Sequence, residues 1–250
     1  MSSEISTGVG KFVWHEHASS DQEYAQQFYG RLLGWEFEAL SLVGDSDYPM
    51  ISTGGQTHGG FPPVPDGTPP HWIGNVQVES VEATVEKAKA AGATVIVEPV
   101  HFPEVGRYAL IGDPQGADIA VFQPDSDGPM GRGVFVWDEL VTSDVEGAKA
   151  FYGEVFGWTA SDSDMGGGFI YTVFKRGEDD AAGAMALGEI QAPPHWLPYL
   201  AAPDIDATAA RVGELGGMVI REPWDVEGVG RLAIVQDPTG AVFGLFKSRM

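Results

Sequence analysis

The stretch FVWHEHASSDQEYAQQFYGRLLGW at residues 12–35 returns 123 positions later as FVWDELVTSDVEGAKAFYGEVFGW at residues 135–158. Farther along, PPHW at 69–72 returns at 193–196, a separation of 124, so one residue has been inserted in the second copy. A period this long indicates a duplicated domain, because solenoid repeats are only about 20–50 residues long. The two copies are predicted to be domains 1–125 and 130–250, joined by a polar Pro/Gly/Asp linker near 124–129.

The composition argues against several classes of partner. The chain has 250 residues, and 14 basic against 36 acidic side chains give a net charge of −22. Nucleic acid and anionic membranes need a positive footprint, so neither is an expected partner. The chain has no cysteine, so disulfides and metal–thiolate sites are excluded. Without a signal-like N-terminus or a long apolar stretch, a soluble, cytoplasmic protein is expected.

Within each copy the hydrophobic pattern predicts strand, helix and three strands, twice. In the first copy a strand is predicted at 12–18 and a helix at 22–33, which Asp21 caps and Gly34 ends. The next strands are predicted at 35–40 and 48–53. The second half follows with strand 72–78, helix 81–91 and strands 94–97, 108–111 and 118–122. Four βαβββ units of an α+β fold result.

Two motifs carry a family resemblance. The first is Asp-x6-Phe-Tyr-Gly-x3-Gly-Trp, which runs from Asp21 to Trp35 and again from Asp144 to Trp158. The second ends in Asp-Pro-x-Gly, at 113–116 and 237–240. Together they resemble the vicinal oxygen chelate superfamily, in the tandem glyoxalase/bleomycin-resistance-like form of the actinobacterial type. This resemblance implies two domains whose βαβββ units curl into cupped, open mixed-sheet barrels, with the ligand inside the cup.

The resemblance also implies where a divalent metal (Zn, Ni, Fe or Mn) would bind in the family's enzymes. On the motif alignment, the ligand positions carry side chains that cannot hold a metal: Trp14 and Trp137, Ile73 and Leu197, Ala120 and Gly244. We therefore predict no metal site and no cofactor. A metal remains implied only if the protein is an enzyme whose ligands align differently.

Two glutamates recur on the predicted cup face. Strand alternation places Glu16 beside Trp14 and Glu139 beside Trp137, whereas His15 and the neighbouring His17 point to the other face, as structural or exposed side chains. Both glutamates are candidate catalytic acid/base residues. Because a buried carboxylate needs a partner of opposite charge, we predict the ion pairs Glu16–Arg107 and Glu139–Arg231. Each pair would either stabilise the structure or take part in catalysis.

Further candidates lie at the entry of the fifth strand of each copy. There a histidine is followed on the same face by Asn75 or Tyr199. The alternative for Pro-Pro-His-Trp is a strand-entry motif kept by packing. His58 lies near the end of the fourth strand, and His101 is expected to face solvent. The predicted ligand-binding residues are Trp14, His71, Trp72, Asn75, Arg107, Trp137, His195, Tyr199 and Arg231.

Three functions are compatible with these residues. The protein binds a small, partly apolar molecule without the family's metal, or it is a lyase-like or dioxygenase-like enzyme active in the first domain. Alternatively, it is a non-catalytic structural or interaction module. Five of the six histidines fall in the first copy, so a single working site is expected there. Duplication makes a monomer plausible as a pseudo-dimer, and a homodimer is the alternative.

Overall fold

The computed structural model describes residues 8–41, 47–126 and 131–249. The central residues of the predicted linker, 127–129, and the N-terminal residues 1–7 lie outside the described part. None of the helices in the described part is long and apolar enough to cross a membrane.

Within the described residues, the first repeat follows the predicted order, with two helices and eight strands. Its helices are α1 (Gln22–Leu33) and α2 (Val81–Ala90). Its strands are β1 (Phe12–Ala18), β2 (Glu36–Ser41), β3 (Asp47–Thr53), β4 (Gln56–Gly60), β5 (His71–Gln77), β6 (Thr94–Phe102), β7 (Gly106–Gly112) and β8 (Asp118–Pro124).

The second repeat contains the same elements in the same order. Its helices are α3 (Val145–Phe156) and α4 (Ile205–Glu214). Its strands are β9 (Phe135–Thr142), β10 (Thr159–Asp164), β11 (Ile170–Arg176), β12 (Asp179–Ala186), β13 (His195–Ala201), β14 (Met218–Val226), β15 (Gly230–Gln236) and β16 (Val242–Ser248).

Each repeat supplies one mixed, eight-stranded sheet. The strand orders, β2-β3-β4-β1-β5-β8-β7-β6 and β10-β11-β12-β9-β13-β16-β15-β14, are the same in the two copies. Strand β1 runs parallel to β4 and β5 parallel to β8, whereas the hairpins β2–β3 and β7–β8 are antiparallel. The predicted α+β class with four βαβββ units is confirmed.

Local capping explains where the helices begin and end. The Asp21 carboxylate accepts the backbone N–H of Tyr24 at the start of α1, and Asp144 does the same for Gly147 at the start of α3. The predicted end of α1 at Gly34 is confirmed, since this residue adopts the left-handed conformation with φ 71°.

Strand β4 is the strand of the first repeat for which the hydrophobic pattern gave no bounds, although the predicted βαβββ order and the placement of His58 near the end of a fourth strand both require it. Its sequence, QTHGG, has low strand propensity. It forms because it pairs antiparallel with β3 and parallel with β1, which places Gly60 beside Glu16.

Packing divides the described chain into two compact units that differ from the two repeats. The flanking unit consists of residues 14–74, 131–139 and 196–249, and the central unit of residues 8–13, 75–126 and 140–195. Each unit therefore combines segments of both repeats.

The core of the flanking unit is largely aromatic. Tyr29 of α1 stacks on Trp35 with ring centroids 4.8 Å apart, and Trp72 meets Phe135 edge-on at 5.3 Å. In the central unit Tyr152 and Phe174 form a similar contact at 5.7 Å. Aromatic side chains bury about 150–250 Å² each, so they dominate the hydrophobic stabilisation of both units.

Candidate functional site

The face of β1 that carries Glu16 forms a hydrogen-bonded chain of three side chains. The indole Nε1 of Trp14 donates to the Tyr48 hydroxyl at 2.8 Å, and that hydroxyl donates to Oε1 of Glu16 at 3.0 Å. Glu16 is only 6% exposed, whereas the two aromatic side chains are partly exposed. We call these three residues the Glu16 site.

A glycine makes the position of the Tyr48 ring possible. A Cβ atom on Gly60 would lie 2.2 Å from Cε1 of Tyr48, so any larger residue would displace the ring. Sequence reasoning missed Tyr48, which comes from β3. The signal was available, because Tyr48 recurs as Tyr171 at the repeat separation.

The second copy holds Glu139 by a tyrosine from a different strand. The Tyr199 hydroxyl of β13 donates to Oε1 of Glu139 at 3.1 Å, and both side chains are buried, at 5% and 7% exposure. Tyr199 pairs with Gly244 of β16, where a Cβ atom would lie 2.2 Å from the ring. Trp137, predicted as a ligand contact, is partly exposed.

The predicted Glu–Arg pairs do not form. Arg107 donates instead to Glu82 of α2 at 2.6 Å, and Arg231 binds Asp206 of α4 through two hydrogen bonds of 2.7 Å. The acidic partners lie in the first helical turn and recur 124 positions apart, a signal that the sequence contained. These exposed strand–helix bridges therefore replace the predicted pairs with the glutamates.

Trp72 lies in the core instead of lining a ligand site. It is 3% exposed and donates its indole N–H to the Tyr29 hydroxyl at 3.1 Å. Because neighbouring residues of a strand point to opposite faces, Trp72 cannot share a face with His71. Asn75 of the same strand is also buried, at 2% exposure, and pairs in register with Ala120.

The two strand-entry histidines have the same local structure. Nδ1 of His71 lies 2.7 Å from the carbonyl oxygen of Pro69, and Nδ1 of His195 lies 2.8 Å from that of Pro193. Burial lowers the pKa of His195, although its hydrogen bond to the backbone opposes this shift. The shared contact favours the strand-entry interpretation of Pro-Pro-His-Trp.

His15 and His17 lie on the face opposite Trp14, where both are fully buried. Nε2 of His15 lies 2.7 Å from the Asp138 carboxylate, which also accepts a hydrogen bond from Arg132 at 2.6 Å. Burial by itself would raise the pKa of Asp138, but the charges of His15 and Arg132 outweigh it and lower that pKa.

His17 joins a second buried network. Its Nε2 lies 2.6 Å from Oδ2 of Asp237, which also accepts the Tyr29 hydroxyl at 3.0 Å. Burial and the nearby Asp237 charge raise the pKa of Tyr29, so it stays a neutral donor. Both histidines therefore serve the core of the flanking unit.

His58 is the third buried histidine of this core. Its Nε2 lies 2.9 Å from the Thr53 hydroxyl, and its ring meets Trp35 edge-on at 5.5 Å. Burial, with the nearby positive charge of His15, lowers the pKa of His58 to about 4, so it is neutral at pH 7. His101, by contrast, is exposed as expected and lies 2.9 Å from Asp125.

The positions that the motif alignment assigns to the family's metal ligands carry side chains that do not ligate a metal. Trp14, Ile73 and Ala120, with their counterparts in the second repeat, offer no carboxylate or imidazole. In the part of the chain that the structure describes, no three His, Asp or Glu side chains are grouped so that they could hold a metal ion.

Comparisons with protein families match both repeats. Residues 16–122 match a glyoxalase-like domain, and residues 134–245 match the Glyoxalase/Bleomycin resistance protein/Dioxygenase superfamily. Among curated proteins, "Putative glyoxylase CFP32" of Mycobacterium tuberculosis is 34% identical over 94% of this chain and 93% of its own. The anthracycline biosynthesis protein DnrV of Streptomyces peucetius is 32% identical over 96% of this chain and 94% of its own.

Solved structures agree on the fold. The Mn(II)-bound glyoxalase of Novosphingobium aromaticivorans has a TM-score of 0.64 at 17% identity, over 95% of this chain and 82% of that one. The 2,2',3-trihydroxybiphenyl 1,2-dioxygenase of Sphingomonas wittichii has a TM-score of 0.66 at 14% identity, over 95% and 90%. With two domain matches and relatives that span nearly the whole chain, the protein belongs to the glyoxalase/vicinal oxygen chelate superfamily, with one glyoxalase domain in each repeat.

Proposed function

We propose that this protein binds a small, partly apolar molecule that carries hydroxyl groups, and that the molecule binds at the Glu16 site. One observation carries the proposal. A buried carboxyl group accepts a hydrogen bond from a phenol that is itself partly exposed and lies beside a partly exposed indole.

The site offers a ligand both burial and a strong acceptor. A flat ring placed against Trp14 and Tyr48 would remove apolar surface from water. A hydroxyl of the ligand would replace the Tyr48 hydroxyl as the donor to Glu16. A ligand without a hydroxyl that displaced Tyr48 would remove this hydrogen bond from a buried carboxyl group, at a cost of about 1–3 kcal/mol, so the exchange favours hydroxylated ligands over plain hydrocarbons.

The names of two relatives support this class of ligand. DnrV and DauV are both called anthracycline biosynthesis proteins. Anthracyclines combine a flat fused-ring system with phenolic hydroxyls, which are the two features that the Glu16 site would recognise. The positions that the motif alignment assigns to the family's metal ligands carry no metal-binding side chain, which supports binding by the chain's own side chains.

Daunorubicin, an anthracycline, is the probe for a direct test. Titration followed by tryptophan fluorescence and calorimetry should show saturable binding by the wild-type protein. Glu16→Gln should weaken that binding by about tenfold or more, the equivalent of about 1.4 kcal/mol.

The control removes the same charge from an exposed position. Glu189→Gln changes the net charge equally but lies on the surface, so its affinity should match the wild type. The titration is repeated at high salt, because daunorubicin is cationic and the chain is acidic. Equal weakening by the two variants would show that the drug binds the acidic surface and would overturn the proposal.

A further inference from the structure

We propose that the ligand of the Glu16 site is a cation, and that Glu38 of β2 binds its ammonium group. This inference rests on the proposed function of the Glu16 site and narrows its class of ligand to flat, hydroxylated ring systems that carry an amine. It follows from the residues that β2 and β3 place on the same sheet face as Glu16.

One row of register partners connects the two glutamates across four strands. Glu16 pairs with Gly60 of β4, and Gly60 pairs with Met50 of β3. Met50 in turn pairs with Glu38 of β2. Register partners point to the same face of a sheet, so Glu38 shares the face of Glu16. Adjacent strands lie about 4.8 Å apart, so the two backbones are about 14 Å apart, a span that one multi-ring molecule can bridge.

The core side of β2 agrees with this orientation. Phe37, the neighbour of Glu38, packs against the core of the flanking unit and lies 5.9 Å from the Phe61 ring. Alternation along the strand then turns Glu38 and Leu40 away from the core. Leu40 pairs with Tyr48, and both side chains are partly exposed. An accessible apolar surface therefore lies beside the row, where a flat ring would bind.

The Glu38 carboxylate is exposed and has no partner of opposite charge within the described residues. A charge of this kind at the end of an apolar surface attracts a ligand of the opposite charge and disfavours an anion. The hydroxyl of the ligand would bind Glu16 at one end of the row, and its ammonium group would bind Glu38 at the other.

The hairpin of β2 and β3 does not need a carboxylate at this position. Ser161 stands at the matching position of the second repeat, 123 residues later. It pairs with Val173 in β11, as Glu38 pairs with Met50 in β3. Because a serine is compatible with the same register, the charge of Glu38 is not required for strand pairing, which favours a role in binding.

Daunorubicin and N-acetyldaunorubicin test the role of the ligand charge. Acetylation makes the amine neutral and keeps the rings and their hydroxyls. In calorimetric titrations at about 0.15 M salt, the wild type should bind daunorubicin more tightly than the acetylated form. Glu38→Gln should weaken daunorubicin binding about two- to fivefold, as expected for an exposed ion pair, and leave the binding of N-acetyldaunorubicin unchanged.

Glu36→Gln is the matched control. It removes the same charge from the same strand and face, two residues away from Glu38, at the register partner of Ser52. Because salt screens charges that do not contact the ligand, it should change the affinity for daunorubicin less than about 1.5-fold. Equal weakening of daunorubicin binding by the two variants would overturn the inference, since the amine would then respond to the acidic surface in general. Equal weakening of both ligands by Glu38→Gln would overturn it as well.

The two proposals fail in different ways. If neither ligand shows binding that depends on Glu16, the proposed function fails for this ligand class, and the assignment of Glu38 fails with it. If binding depends on Glu16 but the wild type binds both ligands equally, or Glu38→Gln keeps the full preference for the amine, the function stands and the assignment of Glu38 is wrong.

Discussion

The flanking and central units each contain the same buried tyrosine–aspartate contact, which we call the brace, but they differ in the residues around it. In each unit the aspartate of Asp-Pro-x-Gly accepts a tyrosine hydroxyl from a helix of the other repeat. The distances are 3.0 Å for Tyr29–Asp237 in the flanking unit and 2.8 Å for Tyr152–Asp113 in the central unit. The other oxygen of each carboxylate accepts three backbone N–H groups of its own turn.

The two braces differ in the residue at one strand position. In the flanking unit His17 adds a contact of 2.6 Å to Asp237, and in the central unit the matching residue is Leu140, which is fully buried. Although burial alone would raise the pKa of Asp237, its contacts with His17, Thr239 and Tyr29 lower it. The repeated Asp-Pro-x-Gly motif therefore specifies the tyrosine–aspartate contact. Whether a polar side chain also contacts the aspartate depends on a residue outside the motif, His17 or Leu140.

A second pair shows what duplication permits. His15 and Asp138 occupy the same position of the two repeats, and their side chains lie 2.7 Å apart. Two identical copies would supply two histidines or two aspartates here. The duplicated chain supplies one of each, so the contact becomes complementary.

The largest expected effect comes from removing the aspartate of each brace. Asp237→Ala leaves His17 and Tyr29 without their buried acceptor, and we expect it to lower the free energy of unfolding by about 3–5 kcal/mol. The matched variant Asp113→Ala removes the same turn contacts but only one side-chain donor, so about 2–3 kcal/mol is expected. Urea unfolding measures both, and equal losses would contradict the comparison.

Making the flanking brace resemble the central one should have a smaller effect. His17→Leu copies Leu140 and removes one buried contact of Asp237, which should cost about 2 kcal/mol. The control, Leu140→Met, conserves volume in the central unit and should cost less than about 1.5 kcal/mol. If His17→Leu is neutral in urea unfolding, the histidine adds nothing to the brace.

His58 should make stability depend on pH in the flanking unit. Its folded pKa of about 4 lies below the ordinary value of 6.5. Between pH 6.5 and about pH 4, His58 binds a proton in the unfolded chain but not in the folded core. The free energy of unfolding therefore decreases as pH falls through this range, by on the order of 1–2 kcal/mol.

The variant His58→Gln isolates this effect. It keeps a hydrogen-bonding group near Thr53 but does not titrate, so its stability should fall less than that of the wild type between pH 7 and pH 4.5. Identical pH profiles in urea unfolding would show that His58 is not the group responsible.

The smallest effect is expected at the strand–helix bridges. Arg107→Ala removes one exposed ion pair, with Glu82, and Arg231→Ala removes two, with Asp206 and Asp225. Because solvent screens exposed pairs, neither variant should shift the urea midpoint detectably. A large shift from either variant would favour a buried pair with a glutamate and would contradict these contacts.

Most of the fold follows from patterns within about 15 residues. Helix α1 begins after Asp21 and ends at Gly34 as predicted, because capping and hydrophobic periodicity are local properties. The resemblance to the superfamily was likewise carried by short motifs, and the domain matches and full-length relatives confirm it. The bounds of strand β4 were not predicted, because this strand depends on pairing with β1 and β3 and not on its own residues.

The candidate site was only half predictable. Strand alternation correctly separated Glu16 from His15, but it could not find the partner of Glu16, because Tyr48 approaches from another strand over a glycine. The Glu–Arg pairs were wrong for the same reason. Each glutamate was paired with an arginine only because both residues recur in the two repeats. In the structure the arginines bind acidic residues in the first turns of α2 and α4.

Local sequence thus suffices for the duplication, the element order and the faces of the strands, since these depend on neighbours along the chain. Only the tertiary structure decides that the Tyr199 hydroxyl donates to Glu139, that His15 contacts Asp138, and that Tyr29 reaches Asp237, 208 positions away. Such contacts depend on how distant strands and helices pack, and the sequence around each residue does not identify its partner.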